Sequence, residues 1–313
     1  MTENPEKKRV LITGCSSGFG MYLAVEAAKK GYDVIATMRS LDKSGPLKTM
    51  LTQAQVTATI DKLDVTDTAD IAAVTEKYAP IDILINNAGM LMAGSVITLS
   101  DEETRRIFET NYFGPAELIR RVVPQMIEAG HGQIINVASL AGLVGHMFNS
   151  AYSASKHALV GLTRSIKTEL RPFDIKISVI EPGYHKTEII RANANVAADF
   201  YNPDSPFIWY NRGFLRVMME QIVPNAGDPS DVVDTILNVM ETKHPKLHYI
   251  VGKDAKKLMR YKWLGMIGWI ERKAYRLVNE AARLERKKAK KKLRDKGKDT
   301  SKLQPLHHKN IKS

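Results

Sequence analysis

Residues 9–20 read RVLITGCSSGFG, and residues 21–30 continue as MYLAVEAAKK before Gly31. The run from Arg9 to Thr13 is apolar and β-branched, which predicts a buried strand. The glycine-rich turn after it opens a stretch with helical spacing, and Gly31 is typical of a C-cap. Strand, turn and helix together predict a dinucleotide site, where a helix N-terminus binds phosphate. An ordinary glycine turn is the alternative, because the spacing is G-x-x-x-G-x-G rather than G-x-G-x-x-G.

A second predicted strand, Asp33 to Thr37, ends just before Met38 and Arg39. NAD enzymes usually place an acidic residue here, where it binds the ribose 2′-hydroxyl. Arg39 could instead pair with the 2′-phosphate of NADP. We therefore predict NADP as the preferred cofactor and NAD as the second choice. A solvated surface arginine is the competing interpretation.

The alternation of strands and helices continues through residue 254. It predicts a single α/β domain, residues 1–254, of the doubly wound Rossmann type, with a parallel sheet of about seven strands. Further strands are predicted at Ile81 to Ile85, Gln133 to Val137 and Leu247 to Val251.

Tyr152 and Lys156 stand four residues apart, and Ser139 lies thirteen residues upstream. In a helix, positions i and i+4 share a face, so the phenol and the ammonium would point into the same space. A nearby cation favours the phenolate and lowers the tyrosine pKa from its usual value of about 10. With a serine hydroxyl to hold a carbonyl oxygen, this pattern predicts a site that oxidises an alcohol or reduces a ketone. Taken singly, each residue could be structural.

Five motifs occur in a fixed order: Thr13-Gly14-x-x-x-Gly18-x-Gly20, Asn86-Asn87-Ala88-Gly89, Asn111, Ser139 with Tyr152-x-x-x-Lys156, and Pro182-Gly183. In this order the chain resembles the short-chain dehydrogenase/reductase family over about residues 7–254. It is most similar to members that act on steroids and retinoids, such as 17β-hydroxysteroid and retinol dehydrogenases.

The resemblance implies a role for each catalytic position. Tyr152 would be the general acid in reduction and the base in oxidation, and Ser139 would bind the substrate oxygen. Lys156 would hold the nicotinamide ribose and lower the pKa of Tyr152, while Asn111 would hold a water that links Lys156 to solvent. Asp64 would contact the adenine and Thr187 the carboxamide. The implied cofactor-binding residues are Gly14, Ser16, Ser17, Gly18, Phe19, Arg39, Asp64, Asn87, Tyr152, Lys156 and Thr187.

The stretch at about 188–228 interrupts the alternation and is rich in aromatic residues, so we predict a lid over the substrate. Its aromatic residues are Phe200, Tyr201, Phe207, Trp209, Tyr210 and Phe214. An apolar lid favours a hydrophobic substrate such as a steroid, a retinoid or a long-chain carbonyl. The alternative is that these rings pack the lid onto the core.

The net charge of +12 is concentrated at the C-terminus. Residues 283–313 hold 13 Lys or Arg against 3 Asp or Glu, which predicts a disordered tail. Residues 255–282 mix basic and apolar side chains, which suits an amphipathic helix on a membrane surface or on another subunit. We therefore expect peripheral membrane contact through 255–313 as one interpretation. We expect no nucleic-acid partner, because no recognition module is present.

The remaining expectations concern location, assembly and alternative functions. Residues 1–8 have no apolar segment typical of a secretory signal, and the chain has a single cysteine, so we predict a cytoplasmic protein. No metal-ligand spacing is present, so we predict no metal. The family resemblance implies a homodimer or homotetramer. Two alternatives are a catalytically silent nucleotide-sensing protein and a sugar-nucleotide epimerase or dehydratase.

Overall fold

The computed structural model describes residues 7–187, 196–301 and 303–306. Within these ranges, a seven-stranded parallel sheet has the order β3-β2-β1-β4-β5-β6-β7. The strands are β1 Arg9–Ile12, β2 Asp33–Met38, β3 Thr59–Lys62, β4 Ile83–Asn86, β5 Gly132–Val137, β6 Ile175–Pro182 and β7 His248–Val251. The strand order reverses between β1 and β4, so a crevice opens at their carboxyl ends. The predicted doubly wound fold is confirmed.

Helices cover both faces of this sheet. They are α1 Gly18–Lys29, α2 Gly45–Gln53, α3 Thr68–Lys77, α4 Asp101–Phe108, α5 Gly114–Ala129, α6 Ser150–Glu169, α7 Ile208–Val217, α8 Ser230–Glu241, α9 Lys253–Trp263 and α10 Ile267–Asp295. Successive side chains of a strand point to opposite faces. Val10 and Ile12 accordingly pack in the core with α1 and α8, whereas Leu11 packs in the core with α3 and α5. A strand buried on both faces needs a continuous apolar run, which explains the sequence of β1.

The aromatic residues of the lid pack into a core of their own. Phe200, Trp209 and Phe214 are buried in one cluster with Val278 and Ala282 of α10. The indole nitrogen of Trp209 donates a hydrogen bond to the carbonyl oxygen of Gln304 at 2.8 Å. For these rings the packing alternative holds, and they do not form an open apolar wall. Residues 188–195 of the predicted lid lie outside the described residues.

The basic C-terminus is more helical than expected. The prediction that disorder begins at residue 283 was wrong for 283–295, because α10 runs unbroken to Asp295. Lysine, arginine, alanine and leucine are good helix formers, and packing on α7 adds stability that composition does not reveal. The two helices touch at Gly213, where a Cβ would lie 2.6 Å from the backbone nitrogen of Ala282. Residues 302 and 307–313 of the predicted tail lie outside the described residues.

Candidate active site

The glycine loop after β1 is closed tightly against the end of β4. Gly14 has a φ of +75°, and a Cβ there would lie 2.8 Å from the Cα of Ala88. A Cβ on Gly20 would lie 2.6 Å from the carbonyl oxygen of Gly14 and still closer to the side chain of Asn87. Only glycine fits these two positions. The loop can therefore pack closely against the turn after β4, at the point where the strand order reverses.

Hydrogen bonds join this loop to the turn after β4. The side-chain amide nitrogen of Asn87, Nδ2, donates a hydrogen bond to the carbonyl oxygen of Thr13 at 2.8 Å. In return, the Thr13 hydroxyl accepts the backbone N–H groups of Asn87 at 3.0 Å and Ala88 at 2.9 Å. Thr187 approaches from the end of β6, because a Cβ on Gly18 would lie 3.6 Å from the Thr187 Cβ. The loop, Asn87 and Thr187 therefore border one crevice.

This crevice fits a dinucleotide. Ser17, the N-cap of α1, makes no side-chain hydrogen bond to the first turn, which leaves the backbone N–H groups there available for phosphate. Arg39 is exposed directly after β2. Asp64, the predicted adenine contact, follows β3. Its carboxylate accepts hydrogen bonds from the backbone N–H and the hydroxyl of Thr66, at 3.0 and 2.8 Å. The Phe19 ring packs edge-on against His185, with ring centroids 5.8 Å apart.

Replacing Gly20 with alanine is expected to weaken cofactor binding at least tenfold. The new methyl group must displace the carbonyl of Gly14 or the side chain of Asn87, and either movement distorts the phosphate loop. Titration of the protein with NADPH, followed by nicotinamide fluorescence, measures the change. Gly161→Ala is the matched control, because this glycine of α6 has open space around it and alanine is the better helix former. Unchanged affinity in Gly20→Ala would contradict the proposed phosphate loop.

Lys156 and Asn111 meet beside Gly89. A Cβ on Gly89 would lie 3.4 Å from both the Lys156 Nζ and the Asn111 Oδ1. Asn111 is fully buried in a π-helical turn, Glu109–Phe113, between α4 and α5. Its side chain accepts the N–H of Met90 and donates to the carbonyl of Met90, both at 2.9 Å. This doubled contact fixes the Asn111 amide against the backbone of Met90.

The Lys156 ammonium is nearly inaccessible, with 4% of the residue exposed. Its Nζ donates to the carbonyl oxygen of Val137, at the end of β5, at 2.9 Å. Burial lowers the pKa of Lys156 from 10.5 to about 8, because the charged form loses hydration. Lys156 therefore releases its proton more readily than an exposed lysine does.

Ser139 lies close enough to the Tyr152 hydroxyl to lower its pKa, as the predicted pairing requires. The Ser139 hydroxyl also accepts the N–H of Ala141 at 3.1 Å, which fixes it after β5. Burial raises the pKa of Tyr152, and the contact with Ser139 opposes this only in part. The Lys156 ammonium donates to Val137 in this structure, and the lowering of the Tyr152 pKa by Lys156 stays a prediction.

Tyr184 and Asp254 lie near the site but were not assigned to it from the sequence. Burial, followed by the charges of Tyr152 and Asp254, raises the pKa of Tyr184 to about 12. The backbone N–H of Tyr184 donates to Asp254 at 2.8 Å, and its ring meets His146 edge-on at 6.4 Å. No local spacing could have found Tyr184, because it follows β6 whereas Tyr152 is in α6. In the described ranges, no group of three or more His, Cys, Asp or Glu could hold a metal ion.

The sequence matches the family model of the short chain dehydrogenases over residues 8–196. This range includes the glycine loop and the Ser139, Tyr152 and Lys156 cluster. The chain belongs to the short-chain dehydrogenase family.

Known relatives agree with this family. An uncharacterised oxidoreductase of Bacillus subtilis, YusZ, is 36% identical over 82% of this chain and 94% of its own length. Human retinol dehydrogenase 8 is 37% identical over 77% of this chain and 80% of its own length. A short-chain dehydrogenase from Sphingobium yanoikuyae, solved in complex with NADPH, superposes with a TM-score of 0.65 at 26% identity, covering 84% of this chain and 94% of that one. The resemblance to retinol dehydrogenases is confirmed.

Proposed function

We propose that this short-chain dehydrogenase interconverts a hydrophobic alcohol and its ketone or aldehyde with NADP as the preferred cofactor. The observation that carries the proposal is the meeting of Ser139, Tyr152, Lys156 and Asn111 at the same sheet edge as the glycine loop. A bound nicotinamide supplies or accepts the hydride. The protein must then hold the substrate oxygen and move one proton.

In carbonyl reduction, Ser139 and Tyr152 both donate hydrogen bonds to the substrate oxygen, and Tyr152 transfers its proton. Burial raises the pKa of Tyr152, so the phenol is protonated at neutral pH and holds the proton that the reduction consumes. Asn111 and Lys156 lie behind it and form the route by which the proton is replaced. In oxidation the same proton moves in the opposite direction.

The substrate class rests on the walls of the site. Val144 is buried and Leu143 half-buried, just beyond Ser139, and Met90 borders Asn111. These apolar side chains favour a steroid, a retinoid or a long-chain carbonyl. The likeness to retinol dehydrogenase 8 supports the same class.

A screen of such carbonyls and alcohols with NADPH, NADH and their oxidised forms tests the proposed function. We expect turnover with at least one hydrophobic carbonyl, and none with short polar ketones. Tight NADPH binding without turnover of any compound would support a nucleotide-sensing protein instead.

Exchanging Arg39 for aspartate is expected to reverse the NADPH to NADH preference in kcat/KM. A guanidinium can pair with the 2′-phosphate, whereas a carboxylate repels it and binds the 2′-hydroxyl. Steady-state rates with both cofactors measure the ratio. Arg171→Asp changes an exposed arginine two residues beyond the end of α6 and controls for the change in net charge. An unchanged ratio would remove the basis for preferring NADP.

A further inference from the structure

The turn between α9 and α10 and the start of α10 expose large apolar side chains. Trp263, Leu264, Met266 and Trp269 are exposed within seven residues, and Trp263 is 91% exposed. We call these four residues the apolar tip. Large apolar residues clustered on the surface of a soluble protein usually mark an interaction site.

A row of basic side chains continues from the apolar tip along α10, and its members Arg283, Lys287 and Lys290 border Pro305 and Leu306 of the C-terminal segment. At 100° per residue, the positions of the row and Trp269 fall within about 60° of one another. The basic stripe comprises Arg272, Arg276, Arg283, Lys287, Lys290 and Arg294. Val278 and Ala281 are buried on the opposite face. The ion pairs that α10 makes in the described ranges join Glu285 to Arg216 and Lys288, and none includes the stripe.

We propose that the apolar tip and the basic stripe form a docking surface for an anionic lipid bilayer. A bilayer surface presents headgroup phosphates next to an apolar layer, and tryptophan favours the boundary between them. The tip would enter this boundary while the stripe lies on the phosphates. The Lys273 ammonium lies over the Trp269 ring, 5.5 Å from its centroid. A cation and an aromatic ring therefore already lie together next to the apolar tip.

Charge favours a bilayer over two other partners. Residues 253–295 hold 16 Lys or Arg against 5 Asp or Glu. A second copy of the chain docked on the tip would bring two such surfaces together, and their charges repel. A nucleic acid would use the stripe but leave Trp263 and Leu264 in water. A membrane uses both features.

The docking surface lies beside the substrate side of the active site. Ala255 and Ile267 pack in one apolar cluster with Leu140 and Val144, which follow Ser139. Lys262 of α9 donates a hydrogen bond to the carbonyl oxygen of Leu143. A docked bilayer would therefore be close to the place where an apolar substrate enters. The membrane contact itself does not depend on the proposed reaction.

Flotation of the full chain with phosphatidylcholine vesicles, with and without phosphatidylserine, tests the proposal. We expect at least tenfold stronger partitioning onto vesicles with phosphatidylserine, and weaker binding in high salt. The triple variant Arg276→Gln, Arg283→Gln, Lys290→Gln should bind them about a hundredfold more weakly, roughly fivefold per charge. The double variant Trp263→Ser, Leu264→Ser should bind these vesicles at least tenfold more weakly than the wild type.

Matched variants separate docking from general surface effects. Lys43→Gln, Lys48→Gln, Arg171→Gln removes three exposed charges elsewhere, and Leu41→Ser, Phe173→Ser removes two exposed apolar groups. Both should float like the wild type. The proposal is overturned if the wild type does not float, or if these controls lose as much binding as the test variants.

Two further readouts distinguish the other partners. A tip variant that changes the molecular mass in solution while floating like the wild type would identify a subunit interface. Stripe-dependent binding to duplex DNA, with tip variants that still float normally, would identify a polyanion site. Either result overturns the membrane proposal.

Discussion

Replacing Tyr152 with phenylalanine is expected to lower kcat by roughly 10²- to 10⁴-fold, the usual contribution of a positioned acid–base group. The variant keeps the ring and its packing but loses the hydroxyl that Ser139 contacts. The cofactor should still bind, because the glycine loop, Asn87 and Thr187 do not depend on this hydroxyl. Steady-state turnover and a fluorescence titration with NADPH measure the two effects separately.

Tyr184→Phe is the matched control for this experiment. Tyr184 lies beside Tyr152, and in the described ranges its backbone N–H and its ring contact Asp254 and His146. We expect its replacement to reduce kcat by less than tenfold. A larger loss in Tyr184→Phe than in Tyr152→Phe would mean that the roles of the two tyrosines are reversed.

Replacing Lys156 with methionine is expected to lower kcat/KM roughly 10- to 100-fold, the effect of losing a hydrogen bond from a charged group. The same variant should unfold at a temperature no lower than the wild type at pH 7. Burial lowers the Lys156 pKa to about 8, so the folded state carries a cost of roughly 3 kcal/mol while the lysine is charged. Methionine removes that cost, although the carbonyl of Val137 loses its donor.

The pH dependence gives a second test of Lys156. A base whose pKa is lowered on folding destabilises the folded state below about pH 8, and this cost fades as the pH rises toward 10.5. The stability advantage of Lys156→Met should therefore shrink between pH 8 and 10.5. Thermal unfolding at several pH values measures it, and Lys167→Met, a lysine in the same helix, is the control. A constant or growing advantage would exclude burial of a charged Lys156.

The sequence predicted most of the fold because its signals were local. The glycine loop has to follow β1 directly, and the continuous apolar run of β1 is what a strand covered on both faces requires. Tyr152 and Lys156 share a helix, so their spacing alone placed them together.

The errors came from contacts between distant segments. Burial by other elements raises the pKa of Tyr152, and Lys156 donates to Val137; spacing reveals neither of these. The lid rings pack on α10, so Phe214 and Val278 support both the lid and a helix whose second half was predicted to be disordered. Tertiary packing overrode composition in both cases.

The most direct test of the proton-transfer site is a single-turnover measurement of hydride transfer by stopped flow. Wild type and Tyr152→Phe are each saturated with NADPH and mixed with the best carbonyl from the screen, and the loss of nicotinamide absorbance is followed. We expect rapid hydride transfer in the wild type and a rate at least a hundredfold lower in Tyr152→Phe at equal cofactor occupancy. Equal rates in the two proteins would contradict the assignment of Tyr152 as the acid that completes the reaction.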